Sequence, residues 1–277
     1  DLAGFPCDYD QLNALVREEG IRSMFLANNA KQEQLDRILV ISDAAHSFGA
    51  TYNGKRSGSL TDISSFSFHA VKNLTTAEGG ALCFNLPDNF DHDEIYTTFC
   101  TMILHGQNKD ALAKTQKGNW RYDVEEPGFK CNMTDLQAAI GLVELERYQE
   151  NLDRRKSIFE QYDTAFANES WAITPLHTTE SKISCYHLYQ LRIANITEAQ
   201  RDAIMQVIFD EDVSVNVHFL PLPTLTAYKK RGYKMEDYPE TWNKYHNEIS
   251  LPVYYNLTDE QVQTVVDAVK KAVDSVL

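Results

Sequence analysis

Two residues of this 277-residue chain pair a nucleophilic amine with a carboxylate. Lys72 sits in the run SSFSFHAVKNLTTAEGG (64–80), and Asp43 lies twenty-nine positions upstream in ISDAAHSFGATYNGK (41–55). A lysine amine forms a Schiff base with an aldehyde, and a carboxylate at the end of a buried strand holds a ring nitrogen protonated. A carboxylate about 4 Å from a pyridinium attracts it by roughly 4 kcal/mol at an effective dielectric near 20. That is about three pKa units before desolvation is subtracted. These are the two groups that pyridoxal phosphate chemistry needs most from a protein. Each has a plainer alternative. Asp43 precedes Ala44-Ala45 and would serve as a helix N-cap, and Lys72 would serve as a solvated surface lysine.

The elements around them suit the chemistry. Ile38-Leu39-Val40-Ile41 is a short continuous apolar run, the pattern of a parallel strand buried on both faces, with Asp43 just past its carboxyl end. Ligands of open α/β sheets bind at that end. Ser64 to His69 reads as a second strand, with Phe66 and Phe68 on one face and Ser65, Ser67 and His69 on the other. Lys72 follows in a loop. Gly79-Gly80 marks a tight turn into a third strand, Ala81–Asn85.

The stretch DAAHSFGATYNGKRSGSLTDISSFSFHAVKNLTTAEGG resembles the active-site region of the DegT-type sugar aminotransferases, vitamin B6 enzymes of the aspartate aminotransferase fold. The resemblance continues through GFKCNMTDLQAAIGLVELERY (128–148), CYHLYQLRI (185–193), VSVNVHF (213–219) and SLPVYYNLTDEQV (250–262). It implies an α/β protein: the three-layer, mostly parallel sheet of the fold type I large domain, N-terminally incomplete, followed by a smaller C-terminal α/β domain. It implies pyridoxal 5'-phosphate as cofactor and a homodimer with sites at the subunit interface. It implies an amino acid donor, usually glutamate, and a nucleotide-linked keto sugar as acceptor. By resemblance Lys72 bonds the cofactor and then shuttles the proton, and Asp43 is the pyridine-nitrogen partner. His46 lies against the cofactor ring or its phenolic oxygen, and Ser67 contacts the phosphate. Asn132 and Lys130 fall in the loop that the family uses near the partner subunit's site, and His218 stands near the substrate end of the pocket. For His46 and His218 the alternative is a hydrogen-bonded core histidine.

Two departures accompany the resemblance. The chain opens at Asp1 without methionine, and Ala3-Gly4-Phe5-Pro6-Cys7-Asp8 matches a stretch that the family carries roughly a hundred residues or more from its start. The family's phosphate-cradling helix N-terminus and its aromatic residue over the ring have no equivalent here. The expectation is therefore a fragment, a processed form or an incompletely represented protein. Pro223 also stands where many relatives have a second histidine. Alternatives to the aminotransferase are a sugar dehydratase using the same cofactor, whose family members have histidine in place of the lysine, and a non-catalytic truncated relative.

Composition sets the outer bounds. With 43% hydrophobic residues the chain has enough apolar material for a large core. No apolar run reaches the roughly 18 residues of a membrane span. A net charge of −14 argues against nucleic acid and anionic membrane as partners. The five cysteines show no CxxC spacing and read as reduced thiols of a cytoplasmic protein. The histidines show no HExxH or paired zinc spacing. Of five Asn-x-Ser/Thr sequons, three end in Thr134, Thr197 and Thr258, each three residues before a glutamine. These are capping boxes at helix starts.

The caps predict a long helix from Thr134 to about Phe166, with a charged half (Glu150, Asp153, Arg154, Arg155, Lys156) suited to connecting domains. Beyond it lie a strand (184–194), a helix (197–210), a strand (213–219), a Pro-rich loop and a helix from Thr258 to Val276. A helix is expected over Asp10–Glu19, and 105–127 reads as a long loop. The expected division is 1–166, a partial cofactor-binding domain with the connecting helix, and 167–277, a small domain.

Overall fold

The computed structural model describes residues 1–108, 117–118 and 120–277. In chain order the strands are β1 Ile41–Asp43, β2 Thr51–Tyr52, β3 Lys55–Arg56, β4 Ile63–Ser67, β5 Gly80–Phe84, β6 Ala172–Ile173, β7 Lys182–Ile183, β8 Tyr189–Ile193 and β9 Glu248–Leu251. They fall into two compact units. The first comprises Asp8–Ala44 and Gly58–Glu146, and the second comprises Asp1–Cys7, Ala45–Ser57 and Arg147–Leu277.

The first unit is built on the sheet β1-β4-β5. The expected parallel pairing holds for β1 and β4, in the register Asp43↔Ser65, whereas β4 and β5 run antiparallel. One face, carrying Ser42, Ser64 and Phe66, is buried, and the Tyr9 hydroxyl meets Ser42 there at 2.6 Å. The other face, carrying Asp43, Ser65 and Leu82, is exposed. The expectation that 38–41 forms a strand buried on both faces is corrected. The strand is 41–43 at a sheet edge, and Ile38 and Ile41 are 46% and 61% exposed.

An ion pair sets the entry of both strands. Arg37 donates two 2.7 Å hydrogen bonds to Asp62, which also accepts from the Val40 N–H. Burial works to raise the Asp62 pKa, but these donors outweigh it and hold the carboxyl below its usual range. The expected helix over 10–19 is two shorter ones, Tyr9–Leu15 and Glu19–Arg22. Of the expected loop 105–127, residues 109–116 and 119 lie outside the described residues. The flanking parts form the isolated bridges Gln107↔Val124 and Leu104↔Lys130.

The expected helix 134–166 is likewise two, Asp135–Glu146 and Tyr148–Phe166, separated where Arg147 leaves helical geometry at φ −100, ψ 5. The second of them belongs to the second unit, so the expected division at 166 does not match the observed grouping. The reason is burial: Ile158, Phe159, Tyr162 and Phe166 are at most 1% exposed, in one core with β8 and β9. Its charged half is only partly solvated. Arg155 is buried and donates to the carbonyls of Tyr186, His187 and Val253.

The rest of that unit follows the caps. Thr197–Gln200 and Thr258–Gln261 form reciprocal capping boxes for helices Glu198–Asp210 and Asp259–Val276. Val262, Val265, Val266 and Val269 recur at helical spacing and are buried, the stripe that packs an amphipathic helix. Thr134 and Gln137 exchange the same pair of bonds in the first unit. The antiparallel sheet β6-β8-β9 supplies the core, and β3-β2-β7 forms a smaller one. β9 was not foreseen. The expected strand 213–219 reduces to a bridge at Asn216↔Ser250. Beyond it the Val217 N–H bonds the Asn216 side chain and the His218 N–H bonds Glu248, so no further ladder forms.

Candidate active site

In the first unit β4 delivers the lysine. Past Ser67 the backbone pairs once more, Phe68 N–H to Gly79 carbonyl at 2.8 Å, and Thr76 N–H bonds the Phe68 carbonyl. Between them the Lys72 N–H closes a turn on the His69 carbonyl. This turn-back needs a glycine at 80, because a Cβ there would lie 2.6 Å from the Phe66 carbonyl oxygen. The Lys72 side chain is half-buried. Desolvation lowers its pKa, and the negative charge of Asp43 opposes that shift. Both effects suit an amine that must be neutral to attack yet stay close to a carboxylate.

Asp43 ends β1 beside Ser65. Residues 45–46 and 48–49 form turns, and the Ala44 N–H bonds the Ser65 carbonyl at 2.9 Å, so no helix starts here for Asp43 to cap. The Ser67 hydroxyl accepts from the His69 N–H at 3.3 Å. On the exposed face of β4 and β5 lies an open groove of 770 Å³, lined by Ser65, Gly80, Leu82, Tyr96, Cys131 and Asn132. Asn132 thus borders the sheet, and its side-chain oxygen accepts from the Lys130 ammonium. Lys130 itself is exposed and does not line the groove.

His46 and His218 both belong to the second unit, where the structure brings them to Phe219. The His46 and Phe219 ring centroids are 5.8 Å apart, and His218 meets Phe219 edge-on at 4.8 Å. His46 also lies 4.4 Å from His187, and its Nδ1 accepts from the Ala3 N–H at 3.3 Å. That acceptor role places its proton on Nε2. His218 is tied to β9 through Ser250 and Glu248. Sequence reasoning missed these two and Arg155. The available signal was the alternation Glu248-x-Ser250 in an otherwise apolar segment. Glu248 is 2% exposed, and burial pushes its carboxyl up to about 7.

The donor set fits pyridoxal phosphate at two ends of the molecule. The desolvated Lys72 amine suits its aldehyde and the Asp43 carboxylate suits its ring nitrogen. For the phosphate the expected contact is the Ser67 hydroxyl. Among the described residues no cluster of three or more His, Cys, Asp or Glu side chains is arranged for a metal ion, and no helix is long and apolar enough to cross a membrane.

Asp43 at the end of β1 and Lys72 in the loop after the parallel strand β4 lie toward the carboxyl ends of these strands, where open α/β sheets bind ligands. The model of the DegT/DnrJ/EryC1/StrS aminotransferase family matches residues 26–270, and the chain belongs to that family. The chain superposes on Spr1654 of Streptococcus pneumoniae, named as a sugar aminotransferase and solved in its PMP-form. The TM-score is 0.94 at 45% identity, covering 100% of this chain and 68% of that one. It is 35% identical to the spore coat polysaccharide biosynthesis protein SpsC of Bacillus subtilis, over 98% of this chain and 65% of that protein. It is 28% identical to the UDP-4-amino-4,6-dideoxy-N-acetyl-beta-L-altrosamine transaminase of Campylobacter jejuni, over 86% of this chain and 60% of that protein. The chain therefore spans about two thirds of the length of these relatives. Its fold is the α/β fold of the sugar aminotransferases, that of fold type I pyridoxal phosphate enzymes.

Proposed function

We propose that the chain acts in the pyridoxal phosphate-dependent transfer of an amino group from an amino acid, glutamate, to a nucleotide-linked keto sugar, in the making of amino sugars for a surface polysaccharide. The observation that carries this reading is the Lys72 amine, lowered in pKa by desolvation within reach of the Asp43 charge. When bound, the cofactor supplies an electron sink. Lys72 holds its aldehyde carbon and afterwards carries the proton between donor and acceptor carbons. Asp43 keeps the ring nitrogen protonated, and the Ser67 hydroxyl contacts the phosphate. His46 lies against the ring, and His218 is on the substrate side. Asn132 and Lys130 belong to the loop that reaches the neighbouring subunit's site in a cytoplasmic homodimer. The names of the relatives support the substrate class, one in polysaccharide biosynthesis and one a transaminase of a UDP-linked sugar. Lys72 argues against the dehydratase, whose family members carry histidine at that position.

The test is to incubate the protein with pyridoxal phosphate, glutamate and a panel of nucleotide-linked 4-keto and 3-keto sugars. Formation of 2-oxoglutarate in step with an amino sugar supports the reading. Absence of amine transfer across the panel, with cofactor bound, overturns it.

A further inference from the structure

His218 lines a second groove, of 720 Å³ and wholly within the second unit, together with Arg201, Asn216, Phe219, Leu222 and Tyr245. Behind it stands a hydrogen-bond chain that the reaction described above does not use. The Ser250 hydroxyl donates to Glu248 Oε1 at 2.5 Å, and His218 Nδ1 lies 2.8 Å from the same hydroxyl oxygen. The other oxygen of the carboxylate, Oε2, accepts the His218 backbone N–H at 3.0 Å. Gln190 donates to the His218 carbonyl at 2.6 Å.

A serine hydroxyl has one proton. Ser250 gives its proton to Glu248, so toward His218 it only accepts, and Nδ1 must carry the hydrogen. We propose that Glu248, acting through Ser250, is a positioning residue that fixes the His218 proton on Nδ1 and leaves a lone pair on Nε2. On the reading of His218 as a substrate-side residue, that lone pair suits a hydroxyl donor such as a sugar O–H, and an Nε2–H would not.

The surroundings favour one arrangement. Glu248 and Ser250 are 2% and 4% exposed, so water does not compete for the bonds. The charged group facing Glu248 is Arg201, whose guanidinium donates to the Glu248 and Tyr245 carbonyls and pairs with Glu198 and Asp202. Burial raises the Glu248 pKa, while Ser250, the His218 N–H and Arg201 lower it, leaving it at about 7. Above that pH the carboxylate is the acceptor the chain requires.

A glutamine at 248 makes the opposite demand. Its oxygen must take the His218 backbone N–H, so its NH₂ faces Ser250. Ser250 then turns its proton to Nδ1, and the imidazole hydrogen moves to Nε2. The experiment is long-range ¹H–¹⁵N correlation of the histidine rings in the full chain at pH 8.5. His218 is assigned by the signal lost in His218→Gln. The expected result is a neutral ring protonated on Nδ1 in the wild type and on Nε2 in Glu248→Gln. Ser250→Ala, which keeps the carboxylate but removes the link, is expected to lose the Nδ1 preference. A wild-type ring protonated on Nε2, or the same tautomer in all three proteins, overturns the inference. The wild-type spectrum decides even if a variant does not fold. A ring held on Nδ1 in a protein that aminates no keto sugar would uphold the relay while the functional reading fails.

Discussion

Replacing Glu248 by glutamine is expected to change how stability depends on pH. In the folded protein the carboxyl titrates at about 7 instead of the ordinary 4.5, with burial the largest cause. A raised carboxyl pKa means that the folded state holds its proton more tightly than the unfolded chain. That advantage is complete below the unfolded value and is lost as pH rises through the folded one. At about 1.4 kcal/mol per pKa unit, the ionised group costs roughly 3 kcal/mol at pH 8 and only about 1 kcal/mol at pH 5. The glutamine variant has no such titration. Whatever its fixed cost from the altered hydrogen bonds, the wild-type stability minus that of the variant should therefore fall by about 2 kcal/mol from pH 5 to pH 8. Urea denaturation of both proteins at the two pH values reads this difference, in which titratable groups out of contact with residue 248 cancel. A difference that stays flat, or that grows in favour of the wild type at pH 8, would show that Glu248 is not raised by its burial.

Three further outcomes are expected. Lys72→Ala should abolish borohydride-trapped cofactor on the protein and all amine transfer, and a trapped adduct in that variant would refute the assignment. Asp43→Asn should keep the cofactor but lower turnover at least about tenfold, since a neutral amide does not hold the ring proton, and unchanged turnover at saturating substrate counts against its role. Gly80→Ala should destabilise the first unit by roughly 1–3 kcal/mol, because the new Cβ meets the Phe66 carbonyl at 2.6 Å. A urea midpoint within error of the wild type would show that the turn relaxes easily.

The parts legible in the sequence were those set by local chemistry. Thr197 with Gln200 and Thr258 with Gln261 announce their helices, because a cap is satisfied by neighbours a turn away. Lys72 and Asp43 stand out by type, spacing and family likeness as candidates, and in the structure the charge of Asp43 acts on the Lys72 amine. What escaped depends on distant partners. Arg155 looked like part of a solvated charged run, yet it is satisfied by carbonyls thirty to a hundred residues away. Segment 213–219 had strand composition, but the side chains of Asn216 and Glu248 capture its N–H groups. The break at Arg147 had no breaker residue to signal it, since neither glycine nor proline is present there.

The composition of the second unit bears on how the chain reaches its native state on the ribosome. That unit gathers Asp1–Cys7, Ala45–Ser57 and everything from Arg147 onward. β2, made early, waits for β7 to be synthesised before Thr51 finds Ile183. Gly4 likewise accepts from Ser184 and Cys185, residues that emerge some 180 positions later. Such closures carry a large loop entropy and come late. The first unit, by contrast, has both of its segments in hand once residue 146 has left the exit tunnel. Translation order therefore favours pairing β1, β4 and β5 before β2 meets β7. A pause or truncation before β7 would release a chain with residues 1–7 and β2 still without these partners, the exposed strand edge on which misassembly and chaperone capture act.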